Sequence, residues 1–201
     1  MGLTKIKDPA FLPFPGFADA RLENRSHESF RFHTRSLEVL AKRIVFPLQD
    51  SERRNSMKLL CAMRDFPLHA TIGEGIGQEA YPEMGEVSDC PLNEVVISFS
   101  QLVVDGATLF LAVDTIPKEV LNLRAEVNAK HTAEGLNVTP IVDLLHITLA
   151  RIMFFSNREK LSDYVEDVKV IREGLWENPI KLEIVGIFRG RADINLKLRS
   201  R

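Results

Sequence analysis

Leu68-His69-Ala70-Thr71-Ile72 and Leu145-His146-Ile147-Thr148-Leu149 repeat one pattern within a single chain: an aliphatic residue, a histidine, a spacer, a threonine and a second aliphatic residue. If both segments are strands, the period-two alternation of side chains puts His69 and Thr71 on one face and His146 and Thr148 on another. Ala70 and Ile147 then point backwards into a core. Each strand presents one acid/base group and one hydroxyl.

The chain has 201 residues, enough for one sizeable domain or two small lobes sharing a core. A formal net charge of -2 argues against a protein that grips long nucleic acids with a broad basic surface, although a local basic patch is compatible with it. Cys61 and Cys90 form neither a disulfide framework nor a zinc-finger or Cys-x-x-Cys spacing, so a reducing compartment is expected. The segment from Met1 to Gly16 is broken by Pro9, Pro13 and Pro15 and does not read as a secretory signal. No run approaches the roughly 20 apolar residues of a membrane span. The expected location is cytoplasmic, with no membrane partner.

Pattern and punctuation predict an α+β chain. Residues 1–30 read as an N-terminal extension, and within it His27-Glu28-Ser29 reads as surface. Leu37, Val39, Leu40, Ile44 and Val45 predict a helix over 36–46, and a second is predicted over 51–64. Three alternating glycines make 73–77 a turn or loop, lacking the spacing of a dinucleotide-binding loop. Asp105-Gly106 separates two strand-like runs, 93–104 and 107–113, and marks a hairpin. A helix follows from Pro117 to about His131, with Gly135 as its stop, then a strand over 144–152 and a helix over 157–174. A terminal hairpin is predicted from 180–188 and 193–198 around Arg189-Gly190-Arg191. Only Phe30 to Thr34 offers a strand ahead of the first motif.

Two histidines facing one another can serve as general base and general acid, since an ordinary imidazole titrates near pH 6.5. Neighbouring threonine hydroxyls can donate hydrogen bonds to non-bridging phosphate oxygens. That inventory suits displacement at phosphorus without a metal or other cofactor. One imidazole would deprotonate the nucleophile, and the other would protonate the departing ribose oxygen.

The doubled motif, about 77 residues apart and with Arg151 trailing its second copy, resembles the 2H phosphoesterase superfamily, including the 2′-5′ RNA ligase-like and cyclic phosphodiesterase proteins. The resemblance implies a single bilobal domain over 1–201, with two antiparallel sheets in pseudo-twofold arrangement, flanking helices and a central cleft. It also implies metal-independent opening of 2′,3′-cyclic phosphates on small nucleotides or RNA ends, with His69, Thr71, His146 and Thr148 as the catalytic set. Other substrates compatible with it are a 2′-5′ RNA linkage or a cyclic phosphate derived from ADP-ribose. A nucleotide- or RNA-end-binding module without turnover is the non-enzymatic alternative. Arg151 transfers as a substrate-binding residue only if the strand bulges or ends before it, because strict alternation puts it opposite His146.

Other candidate groups have simpler readings. His33 and His131 have no sequence partner, and His131 near a helix end suits the dipole there. Glu74 and Asp143 could assist a metal, but no ligand pair has zinc-like spacing. Arg189 and Arg191 read as a solvated tip. Tyr81, Phe154, Phe155 and Trp176 are read as packing aromatics rather than base-stacking groups.

Overall fold

A computed structural model describes residues 24–65, 68–77, 85–87, 90–139 and 144–191. The N-terminal half contains β1 (Asn24–Phe32), α1 (Thr34–Leu40), a π-helical stretch (Ala41–Val45), α2 (Phe46–Arg54), β2 (Lys58–Cys61), β3 (Ala70–Gly77), β4 (Gly85–Val87) and β5 (Val96–Phe99). It continues through β6 (Gln101–Asp105), β7 (Thr108–Ala112), α3 (Lys118–Ala133), β8 (Asn137–Thr139), β9 (His146–Phe154), α4 (Arg158–Glu177) and β10 (Ile180–Arg191). This mixture of helix and antiparallel sheet agrees with the α+β expectation. Among the described residues, no helix is long and apolar enough to cross a membrane.

Among the described residues, the strands form one ten-stranded hydrogen-bonded network in the order β4-β10-β1-β3-β9-β7-β6, with β5 beside β10, β8 beside β3 and β2 beside β9. Its ladders are antiparallel. The expected two sheets are thus joined, and the joint is narrow: β3 pairs with β9 at one position, Ala70 opposite Ile147. A single residue, Ser100, links β5 at the β10 edge to β6 at the other end, so the network nearly closes on itself.

Local signals account for several elements. Gly106 takes φ +54 in the tight turn between β6 and β7, a conformation that favours glycine. Helix α3 ends in a Schellman motif: Gly135 adopts φ +77, its N–H bonds to the Thr132 carbonyl, and the Leu136 N–H bonds to the His131 carbonyl. Asn157 caps α4 by accepting from the Lys160 N–H at 2.9 Å. At the other end of α4, Arg43 donates to the carbonyls of Gly174 and Asn178, matching a cation to a helix C-terminus.

The helix over 36–46 is longer than expected, and the one over 51–64 is present only to Arg54, as its continuation. The helical backbone runs on through Pro47 to Arg54. A regular helix would push the proline ring against the carbonyl of Arg43. The π-helical turn, in which the Phe46 N–H reaches back to the Ala41 carbonyl, relieves that crowding. After Arg54 the chain turns through Ser56 at φ +49, and the Met57 N–H bonds to the Glu52 carbonyl. Leu59 and Cys61 then face the core while Lys58 faces out, and β2 pairs with β9.

Gly73 to Gly77 belongs to β3 and is not a loop. The reason lies on its face. A Cβ on Gly73 would stand 2.7 Å from Cγ1 of Val127, and one on Gly75 would stand 2.7 Å from Cδ1 of Leu136 and 3.2 Å from Cγ of His131. The alternating glycines let α3 lie directly on the strand, so their cost in strand propensity is offset by close packing.

Two further expectations are corrected at the N- and C-terminal strands. β1 starts at Asn24, inside the expected extension, and lies between β10 and β3 in the sheet order. Glu28 and Ser29 are buried there, not on the surface. The Glu28 carboxylate lies 3.8 Å from Nε2 of His131 and 3.9 Å from Nζ of Lys130. Arg189-Gly190-Arg191 is no turn: β10 continues through it because β1 supplies a partner strand, with Ser26 opposite Arg191 and His27 opposite Gly190. The predicted strand 193–198 lies outside the described residues.

Gly75→Ala is expected to destabilise the fold by about 1–3 kcal/mol through overpacking, whereas Gly174→Ala, where a Cβ meets nothing within 4 Å, should not destabilise it. Urea denaturation of both variants measures the difference.

Candidate active site

The junction between β3 and β9 brings the two motifs together. Ala70 and Ile147, the two spacers, are paired and fully buried. In antiparallel register, His69 therefore lies across from Thr148, and Thr71 across from His146. All four side chains are half-buried, on the face opposite the buried spacers. The two motifs are related by a local twofold through that pair, so each histidine neighbours the other strand's threonine. The histidines are also close enough for charge on His69 to oppose charge on His146.

Arg151 is on this face as well, and a β-bulge puts it there. β7 pairs Phe110 with Thr148 but Leu109 with Ala150, leaving Leu149 as the extra residue. Leu149 and Ala150 are both fully buried, and the Leu149 carbonyl accepts from the Ala62 N–H at 2.8 Å. One residue of slip reverses the parity of everything beyond it. Arg151 is consequently half-buried and near enough to influence His146. The condition for recruiting this arginine is met.

Phe110 on β7 flanks the second motif: its ring centroid is 5.1 Å from that of the His146 imidazole at an interplanar angle of 59°. With β7 on one side and β3 on the other, His146 is substantially removed from water. Burial is the main cause that lowers its pKa below the ordinary imidazole value, followed by the nearby charges of His69, Arg124 and Arg151.

The segment entering the first motif is held by an ion-pair cluster. Arg64 donates to Oε2 of Glu52 at 2.6 Å, to Oε1 of Glu52 at 3.2 Å, to the Leu59 carbonyl at 2.6 Å and to Asp65 at 2.9 Å. Glu52 and Asp65 in turn accept from the Leu59 and Cys61 N–H groups. The buried Cys61 thiol, raised to about 12 mainly by desolvation, is kept protonated. It is part of the buried apolar core.

Sequence reasoning missed two residues of the site. Phe110 carries no motif. Arg124 on α3 is 4% exposed, and its Nη2 donates to the Leu144 carbonyl at 2.8 Å and to the Thr71 carbonyl at 3.3 Å. The available signal was its spacing: four residues after Val120 and three before Val127, it falls in the buried stripe of the helix.

The other candidates lie elsewhere. His33 caps α1, its Nδ1 accepting from the Arg35 N–H at 3.2 Å. His131 is buried under β3 beside Gly75, with Glu28 3.8 Å away, so it packs against the strand. Trp176 is exposed on α4 beneath the Arg172 guanidinium, 5.7 Å from the ring centroid. No group of three or more His, Cys, Asp or Glu side chains among the described residues could hold a metal ion. Asp143 and Tyr81 lie outside the described residues.

A doubled His-x-Thr unit on adjacent antiparallel strands, with an arginine brought alongside by a bulge, is a set of acid/base groups, hydroxyls and positive charge suited to a phosphoester. The family model described as LigT like Phosphoesterase matches residues 92–195, just over half of the chain. The chain belongs to this family and thus to the 2H phosphoesterases. The match covers Phe110, Arg124, His146, Thr148 and Arg151, while His69 and Thr71 precede it. No curated protein matches the chain.

An NMR titration is expected to give His146 a midpoint below the roughly 6.5 of an unperturbed histidine, and Arg151→Gln is expected to raise it. The unfolded chain takes up this proton at higher pH than the folded protein does. The His146 contribution therefore lowers stability as pH falls from about 6.5 through the depressed folded value.

Proposed function

We propose that this 2H phosphoesterase opens 2′,3′-cyclic phosphodiesters of small nucleotides or RNA ends with His69 and His146 as its acid/base pair. The observation supporting this reading is the register of the two motifs about Ala70 and Ile147, which sets an imidazole and a hydroxyl from each strand on one face, an arrangement that would suit the two sides of one phosphate. Membership of the LigT-like family supports phosphoesterase chemistry, and the depressed affinity of His146 for protons supports its role as the base.

In this mechanism a water molecule attacks phosphorus opposite the leaving ribose oxygen. His146, neutral near pH 7, takes the proton of the water as the new P–O bond forms. His69 supplies a proton to the ribose oxygen as the old P–O bond breaks, giving a phosphomonoester and a free hydroxyl. Thr71 and Thr148 donate to the non-bridging oxygens, and Arg151 offsets the negative charge gathering on them. A ribose hydroxyl in place of water would run ligation-type chemistry through the same groups in the same roles, and the reverse cleavage would exchange them. The local twofold favours such reversibility.

Purified protein in excess EDTA is expected to hydrolyse a 2′,3′-cyclic nucleotide or a cyclic-phosphate RNA end with a bell-shaped pH profile. His69→Ala and His146→Ala should each lower kcat by about 10²-fold or more. Wild-type rates in either variant would refute the assignment.

A further inference from the structure

Arg124 stands out because a core position on α3 carries a charge. Val120, Leu123 and Val127 share its buried stripe, and an aliphatic side chain there would avoid the cost of desolvating a guanidinium. Among the described residues, its hydrogen bonds go to no acidic group. Its two acceptors are main-chain carbonyls, of Thr71 in the first motif and of Leu144 two residues before His146. Its Nε and Nη1 are buried and make no hydrogen bond to a described atom.

We propose that Arg124 is a positioning residue: it sets the separation of the two motif strands and supplies a fixed, water-shielded positive charge behind His146. The inference rests on the reading of His69 and His146 as the acid/base pair. The β3–β9 ladder has one paired position, so a second connection between these strands has large leverage on how the motifs face each other. Arg124 is that connection, reaching from a third element to the Thr71 carbonyl of β3 and to the Leu144 carbonyl just ahead of β9. Among the described residues, the charged groups acting on His146 are His69 next to β3, Arg124 on α3 and Arg151 on β9; β7 contributes the uncharged Phe110 and Ala112. Burial limits the screening of Arg124 by salt. Desolvation lowers its own pKa, yet a guanidinium starts so high that it stays charged at neutral pH.

The two roles separate by substitution. Arg124→Met removes charge and grip together; Arg124→Lys keeps the charge but replaces a planar fork with a single ammonium. With a 2′,3′-cyclic nucleotide as substrate and an NMR titration of His146 in the free protein, Arg124→Met is expected to raise the His146 midpoint and to lower kcat at least tenfold, with a smaller change in KM. Arg124→Lys should leave the midpoint near wild type while lowering kcat. A folded Arg124→Met protein with unchanged midpoint and kcat overturns the proposal, as does a midpoint equally raised in both variants. If Arg124→Met does not fold, Arg124→Lys decides: lowered kcat with the midpoint held supports the proposal, and wild-type kcat overturns it. Absence of turnover by the wild-type protein would instead count against the phosphodiesterase reading, and the two titrations would still report on the charge.

Discussion

The pairing of Ala70 with Ile147 is the contact on which the rest of the site depends. It joins two groups of strands that otherwise make their own ladders: β4, β5, β10, β1, β3 and β8 on one side, and β9, β2, β7 and β6 on the other. Both spacers are fully buried, which fixes their faces and so forces the histidines and threonines to the opposite side. A slip of one residue in either strand would turn one motif into the core. The burial of two small apolar side chains thereby orients four polar ones.

Around this joint, chain order and spatial order diverge. Helix α3 belongs to the second half of the sequence yet lies on β3, while β10 near the C-terminal end completes the ladder of β1 near the start. These exchanges make the two sides interdependent. The glycines of β3 admit α3, α3 carries Arg124, and Arg124 reaches the Thr71 carbonyl in β3 and the Leu144 carbonyl just ahead of β9. An ion pair and a hydrogen bond from a neutral amide elsewhere brace the helical layer: Asp167 of α4 accepts from Arg54 and from Asn55 at the α2 end. Burial acts to raise the Asp167 pKa, but hydrogen bonds from Ser51, Arg54 and Asn55 outweigh it and hold the group below its ordinary value. Its contribution to stability is present above the unfolded carboxyl pKa and is lost as pH falls through the folded one.

Legibility followed the range of the interactions. The 105–106 turn, the α3 stop at Gly135 and the Asn157 start of α4 were readable because each is decided within a few residues by left-handed φ or by a capping side chain. Gly73 to Gly77 was misread for the converse reason. Glycine signals a turn when only local backbone freedom is considered, but here it answers a helix roughly 50 residues further along the chain. The predicted end of β10 failed similarly, since the partner that extends it is at the other end of the sequence.

Local pattern accounts for the inventory and its orientation: two aliphatic-flanked His-x-Thr units, each able to show a base and a hydroxyl on one strand face. Tertiary structure alone decided how those units meet. The register at Ala70 and Ile147 made them mutual neighbours, the bulge at Leu149 and Ala150 turned Arg151 onto their face, and packing of α3 on glycine brought Arg124 behind them. Side-chain alternation is written into a strand's own pattern, whereas register, bulging and helix approach depend on the partner against which that strand is packed.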